Sequence, residues 1–265
     1  MGDVLKQVRH DTIQRCTDAA ERAGHKLLFG MTTSLALQSV PLPDTCTLDT
    51  TLLHTVSSSH GKRVRKRGLT PDIIQPHVWR ILDGAPLDAA PPGTAPLGTV
   101  PLVRITSRVY ALDLFHTWAQ LASYVPFESL IVLGDSTIRA VASQPTSARG
   151  RSPVEVRRDL LASIAAMPKF NGKTACLRAG TLIAANVDSP KESECRLLLR
   201  RHGLPKVETG YTVPEARFRS GAAMTLDLAW PQWRVAVEYD GDHHRTDRKQ
   251  WRRDQEKREY LRSRG

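Results

Sequence analysis

Apolar residues recur at helical spacing over residues 3–23, where Val4, Val8, Ile13, Cys16, Ala19 and Ala20 fall near one face. Gly24 follows as a C-cap. The continuous apolar run 27–31 reads as a strand, and 32–38 as a short helix capped by Thr32 or Thr33. Pro41-Leu42-Pro43 ends that helix, and 48–56 reads as a further strand. Leu114, Phe115, Trp118, Leu121 and Ala122 predict a helix over 112–124. Three more helices are predicted over 127–142, 153–166 and 174–185, with Gly134 a weak point in the first. Ser189-Pro190-Lys191-Glu192 then opens a helix that runs to His202 and stops at Gly203. Ser189 is its N-cap, Pro190 its first residue and Glu192 the third position of a capping box. Residues 211–214 and 218–224 lead into a hairpin. From Ser189 onward the order is helix, strands, helix, unlike the alternation of a doubly wound sheet.

The hairpin carries the chemistry. Asp227 stands between Leu226 and Leu228, and Pro231 breaks the strand. Over 233–239 the pattern alternates, with Val235 and Val237 on one side and Ala236 and Glu238 on the other. Asp240 continues the Glu238 face, and Gly241 turns the chain. Clustered carboxylates repel unless a cation is present. A divalent metal with oxygen ligands, Mg²⁺ or alternatively Mn²⁺, accounts for Asp227, Glu238 and Asp240 together. Glu192 adds a carboxylate from the preceding helix, or serves only as a cap. His244 has an ordinary pKa near neutrality and suits proton transfer or holding a water; as a loop residue it also reads as simply exposed. Arg245, Arg248 and Arg252 recur at i, i+3 and i+7, with Lys249 and Arg253 beside them, a face suited to a phosphate backbone. A zinc reading of His243 and His244 is weak, because no cysteine lies nearby.

Charge sharpens this picture. The 265-residue chain has a formal net charge of +11, which points to a polyanionic partner such as DNA. Arginine makes up most of the 38 basic residues, an excess that coding bias alone also produces. Residues 61–68, GKRVRKRG, read as a phosphate-contacting loop or as a solvated hairpin turn. Residues 86–101 are rich in Pro, Gly, Ala and Thr and read as a loop. No apolar run approaches the ~20 residues that span a bilayer. The N-terminus has no signal-peptide core. Cys16, Cys46, Cys176 and Cys195 are dispersed and read as reduced thiols of a cytoplasmic protein. The pattern leaves oligomeric state open.

Asp227, the run Glu238-Tyr239-Asp240-Gly241-Asp242-His243-His244-Arg245, Asp254 and Leu261 resemble the PD-(D/E)XK nuclease superfamily. More narrowly, they are similar to small endonuclease-like domains related to the very-short-patch mismatch repair endonuclease. The resemblance covers about residues 188–265. It implies a restriction-endonuclease-like mixed sheet flanked by helices and Mg²⁺-dependent hydrolysis of DNA phosphodiesters. It also implies a catalytic set of Glu192, Asp227, Glu238, Asp240 and His244, with metal on Asp227, Glu238 and Asp240. Asp240 stands where typical members have lysine, so the chemistry leans on His244. The family fold closes with a further strand and helix, which the sequence is expected to lack. Residues 1–187 resemble the α/β region of abortive-infection antitoxin regulators. The carriers are Leu27-Leu28-Phe29-Gly30-Met31-Thr32-Thr33, Pro41-Leu42-Pro43 and Ile105-Thr106-Ser107. The expected architecture is therefore α/β in two parts. The alternative to an endonuclease is a non-catalytic DNA-binding regulator with a degenerate nuclease fold.

Overall fold

A computed structural model describes residues 2–59, 73–82, 102–144, 151–239 and 248–264. The chain is mixed α/β and divides into two compact units, residues 2–185 and 186–265. Among the described residues are eight helices, a five-stranded mixed sheet and a three-stranded antiparallel sheet. None of these helices is long and apolar enough to cross a membrane. The basic run 61–68 and the Pro/Gly-rich stretch 86–101 lie outside the described residues.

The first unit opens with α1 (Gly2–Ala23), followed by β1 (Leu27–Phe29) and α2 (Met31–Leu37). Strands β2 (Leu53–Ser57), β3 (Ile74–Val78), β4 (Leu102–Arg104) and β5 (Val109–Leu112) complete its sheet, in the order β3-β2-β1-β5-β4. The pairs β1–β5 and β2–β3 are parallel; β1–β2 and β4–β5 are antiparallel. Cys16, Ala19 and Ala20 of α1 pack on Leu27, Phe29, Leu53, Val109 and Ala111 of the sheet. Helices α3 (Leu114–Leu121), α4 (Phe127–Ala142), α5 (Pro153–Ala166) and α6 (Lys173–Gly180) follow.

Several local expectations are revised here. Residue 31 belongs to α2, not to the strand. The α2 N-cap is Gly30, with no side-chain cap bond. Thr33 Oγ1 instead accepts the His54 amide N–H at 2.8 Å, tying α2 to β2. Strand β2 begins at Leu53, five residues later than the apolar pattern suggested. Leu112 ends β5, and the helix starts only after Asp113, whose carboxylate caps the His116 amide at 2.8 Å. The α5 start is a full capping box between Ser152 and Glu155.

A histidine pair, one ring buried and the other half-buried, joins β2 to β3. His54 is fully buried; its Nε2 donates to the Asp49 carbonyl at 2.9 Å, which leaves Nδ1 to accept from His77 Nε2 at 2.9 Å. Burial pushes the His54 pKa down, against the Asp49 carbonyl and the Asp49 charge. The neutral ring is the folded form, so the unfolded chain takes up the extra proton as pH falls below the ordinary value of 6.5. Stability of this unit is expected to fall between about pH 7 and pH 5, and His54→Gln to flatten that slope. Urea midpoints across the range check it; equal slopes for both proteins refute it.

The second unit runs α7 (Pro190–Arg201), β6 (Glu208–Arg217), β7 (Ala223–Trp230), β8 (Val235–Val237) and α8 (Arg248–Ser263). Its sheet order is β6-β7-β8, antiparallel throughout. Strand β6 is longer than the separate pieces predicted. Pro214 interrupts the sequence pattern but is tolerated because β6 is an edge strand, where a missing N–H costs no ladder bond. Residues 231–233 form a 3-10 turn and Arg234 adopts φ +52°, so β8 starts two residues later than the alternation suggested. The core of this unit is Val207, Leu228 and Trp230, with Cys195, Leu199 and Val237 against it.

Candidate active site

The site forms where β8 ends. Leu226 and Leu228 of β7 are buried, so the intervening Asp227 points to the opposite sheet face. Leu228 pairs with Val237, which places Asp227 opposite Glu238 one step further along. Opposed residues share a face. The ladder stops at Val237, and the two carboxylates take over the backbone donors beyond it. Asp227 Oδ2 accepts the Tyr239 amide at 2.9 Å, and Glu238 Oε1 accepts the Asp227 amide at 3.2 Å. The strand ends are thus laced together by their acidic side chains.

Glu192 lies at the start of α7, close enough to Asp227 to feel its charge. It is 7% exposed. Ser189 Oγ accepts the Glu192 amide at 3.3 Å and donates to Glu192 Oε1 at 2.8 Å, while Glu192 Oε2 accepts the Asp188 amide at 2.9 Å. This differs from the expected capping box by one residue, since the carboxylate returns to Asp188 and not to the Ser189 amide. Burial pushes the Glu192 carboxyl up, against its Asp188 and Ser189 bonds, and the charge of Asp227 pushes it further. The Cys195 thiol is raised by burial and by the same Asp227 charge. Asp227 is therefore the charge that couples α7 to the strand ends.

Glu238 is raised chiefly by burial, with Lys257 lowering it and Asp227 raising it. Lys257 of α8 donates to Glu238 Oε2, and its side chain is only 13% exposed. Sequence reasoning missed this residue. The signal was its position: Asp254, Lys257 and Leu261 recur at i, i+3 and i+7, and all three lie on the half-buried side of α8. Helix α8 is fixed by further contacts. Glu256 Oε1 accepts the Arg219 amide at 2.6 Å, Arg234 donates to the Arg264 carbonyl at 3.0 Å, and Arg253 lies 5.8 Å from the Phe218 ring. Arg252 is exposed on the other side.

Among the expected residues, the structure pairs Asp227 with Glu238 and places Glu192 within reach of the Asp227 charge. Asp240, His244 and Arg245 lie outside the described residues, as do the side chains of Arg248 and Lys249. Among the described residues, no group of three His, Cys, Asp or Glu side chains is arranged to hold a metal. The donor chemistry nonetheless suits a hard cation: Asp227 and Glu238 present carboxylate oxygens only, and Mg²⁺ commonly takes one or two carboxylates and keeps several waters. The remaining cysteines are free, and burial pushes the Cys176 thiol up to about 12, which leaves it unreactive. No protein-family model, no curated protein and no solved structure matches the chain.

Proposed function

We propose that the second unit is a metal-dependent DNA endonuclease of restriction-endonuclease-like type. The observation that carries the reading is the Asp227–Glu238 pair, two opposed carboxylates on one sheet face, with Glu192 feeling the Asp227 charge. Neighbouring carboxylates repel, and a divalent cation would offset that repulsion. Asp227 and Glu238 would hold Mg²⁺ or Mn²⁺, with Asp240 as a further ligand. Such an ion lowers the pKa of a bound water and stabilises charge on phosphate. Glu192 acts on the site through its charge, because both of its oxygens are engaged at the helix start. His244 is assigned proton transfer. Arg245, Arg248, Lys249 and Arg252 are assigned to the phosphate backbone, and the exposure of Arg252 supports that role. The first unit is read as an antitoxin-like regulatory or DNA-binding region.

A second reading is favoured by one observation: Lys257 already neutralises Glu238. On it the fold is a degenerate nuclease that binds DNA without cutting it. The two separate in a plasmid assay. The endonuclease reading expects conversion of supercoiled DNA in Mg²⁺ or Mn²⁺, stopped by EDTA and by the double variant Asp227→Ala, Glu238→Ala. Salt-dependent DNA binding with no cleavage in either metal overturns it in favour of the second reading. Cleavage that survives the double variant overturns the site.

A further inference from the structure

Lys257 holds the oxygen of Glu238 that faces away from the strand lacing. Of the two Glu238 oxygens, Oε1 takes the Asp227 amide and Oε2 takes the Lys257 ammonium. Each Glu238 oxygen thus has a partner, and one of the two partners carries a unit positive charge. Lys257 is not a surface lysine that happens to touch a carboxylate: its side chain is far less exposed than that of Glu238, at 13% against 40%. Its backbone is fixed on both sides, by the Glu256–Arg219 bond next to it and by the Arg234–Arg264 bond at the helix end. The ammonium is therefore delivered to one place by a docked helix, on a four-carbon stem that is intrinsically flexible.

A divalent ion bound by Glu238 and Asp227 needs the same electrostatic niche. An ammonium and a divalent cation at contact distance on one carboxylate oxygen repel strongly in a partly buried setting. We propose that Lys257 is the resident counter-ion of the carboxylate pair and exchanges with the divalent metal, so that metal entry releases its ammonium from Glu238. This inference rests on the metal-dependent reading of the site, and makes Lys257 a positioning residue whose cost is a weakened metal affinity. The exchange is a movement of charge only; no bond is made or broken.

The experiment is Mn²⁺ titration of the full chain by calorimetry at about pH 8, where carboxylates are ionised. Lys257→Met is expected to bind Mn²⁺ about tenfold or more tightly than wild type, because it removes the competing charge. Lys257→Arg keeps the charge and is expected to stay within about threefold of wild type. Asp227→Asn is expected to lose binding in either background. If wild type binds the ion and Lys257→Met binds it equally or more weakly, the exchange is refuted and the metal-dependent reading stands. If neither protein binds, both fall. A second measurement needs no variant: reductive methylation of Lys257, followed by mass spectrometry, is expected to quicken severalfold in saturating Mg²⁺. Unchanged labelling of Lys257 in a protein that binds the ion overturns the proposal.

Discussion

Asp227→Asn is expected to reduce Mg²⁺-dependent cleavage by about 10³-fold or more while making the second unit more stable at neutral pH. The two effects share one cause. Asparagine keeps an oxygen to accept the Tyr239 amide, so the strand ends stay laced. Burial is the chief reason both Glu192 and Glu238 are raised, and the substitution removes the further rise that the Asp227 charge adds. A carboxyl whose folded pKa is raised binds protons more readily in the fold than in the unfolded chain. Its favourable contribution is present in acid and is lost as pH rises through the raised value. At neutral pH the wild-type unit therefore carries repulsion that the variant lacks. Thermal midpoints at about pH 7.5 and pH 4 test the sign: the variant's advantage should be present at the first and shrink at the second. A midpoint lower than wild type at neutral pH removes the electrostatic argument. Cleavage within about tenfold of wild type removes Asp227 from the chemistry.

Much of the helical framework was legible because its signals are local. Helices α4 and α5 fall where their apolar spacing places them, and α7 begins at the Ser189–Pro190 cap and gives way to Gly203, which has φ +79°. The strands were harder. Strand β5 is buried at every position and runs almost directly into α3, also buried throughout, so periodicity is lost across the junction. Strand β6 fails for the opposite reason. Most of its residues are exposed or half-buried, and Pro214 reads as a stop unless the strand is known to be an edge. Gly134 was read as a defect in α4. In the fold, a Cβ there would come within 2.7 Å of Ile183 and 3.3 Å of the Trp118 indole nitrogen, so the glycine is what permits close approach.

The candidate site divides along the same line. Asp227 and Glu238 were legible because a charged residue in an apolar hairpin has to have a reason, and register then places them face to face. Glu192 was legible as a cap, and it is one; only packing shows that it also feels Asp227. Lys257 was hidden. It sits in a helix crowded with arginine and lysine, where charge by itself distinguishes nothing. Its meaning comes from a contact 19 residues away in sequence, made by a long side chain with a buried stem. The pattern along the strand pointed to no partner for Glu238, whereas Lys257 reaches it from α8.

Trp118→Ala is expected to destabilise the first unit by about 3–5 kcal/mol. The indole is fully buried, and its Nε1 donates to the Leu130 carbonyl at 2.8 Å, joining α3 to the first turns of α4. Truncation removes the largest fully buried side chain of the chain's described residues and leaves a cavity between two helices. It also leaves the Leu130 carbonyl without that donor, a loss that overlaps the cavity term and does not simply add to it. Trp118→Phe separates the two contributions. It retains most of the ring volume but cannot donate, so it should cost less than the alanine variant and more than the net value of a single hydrogen bond, about 1 kcal/mol. Because domains are stable by only about 5–15 kcal/mol, the alanine variant should stand near the limit of folding at 37 °C. Urea unfolding followed by far-ultraviolet circular dichroism measures both. A shift below about 1 kcal/mol for Trp118→Ala would mean that α3 and α4 do not depend on this contact for their packing.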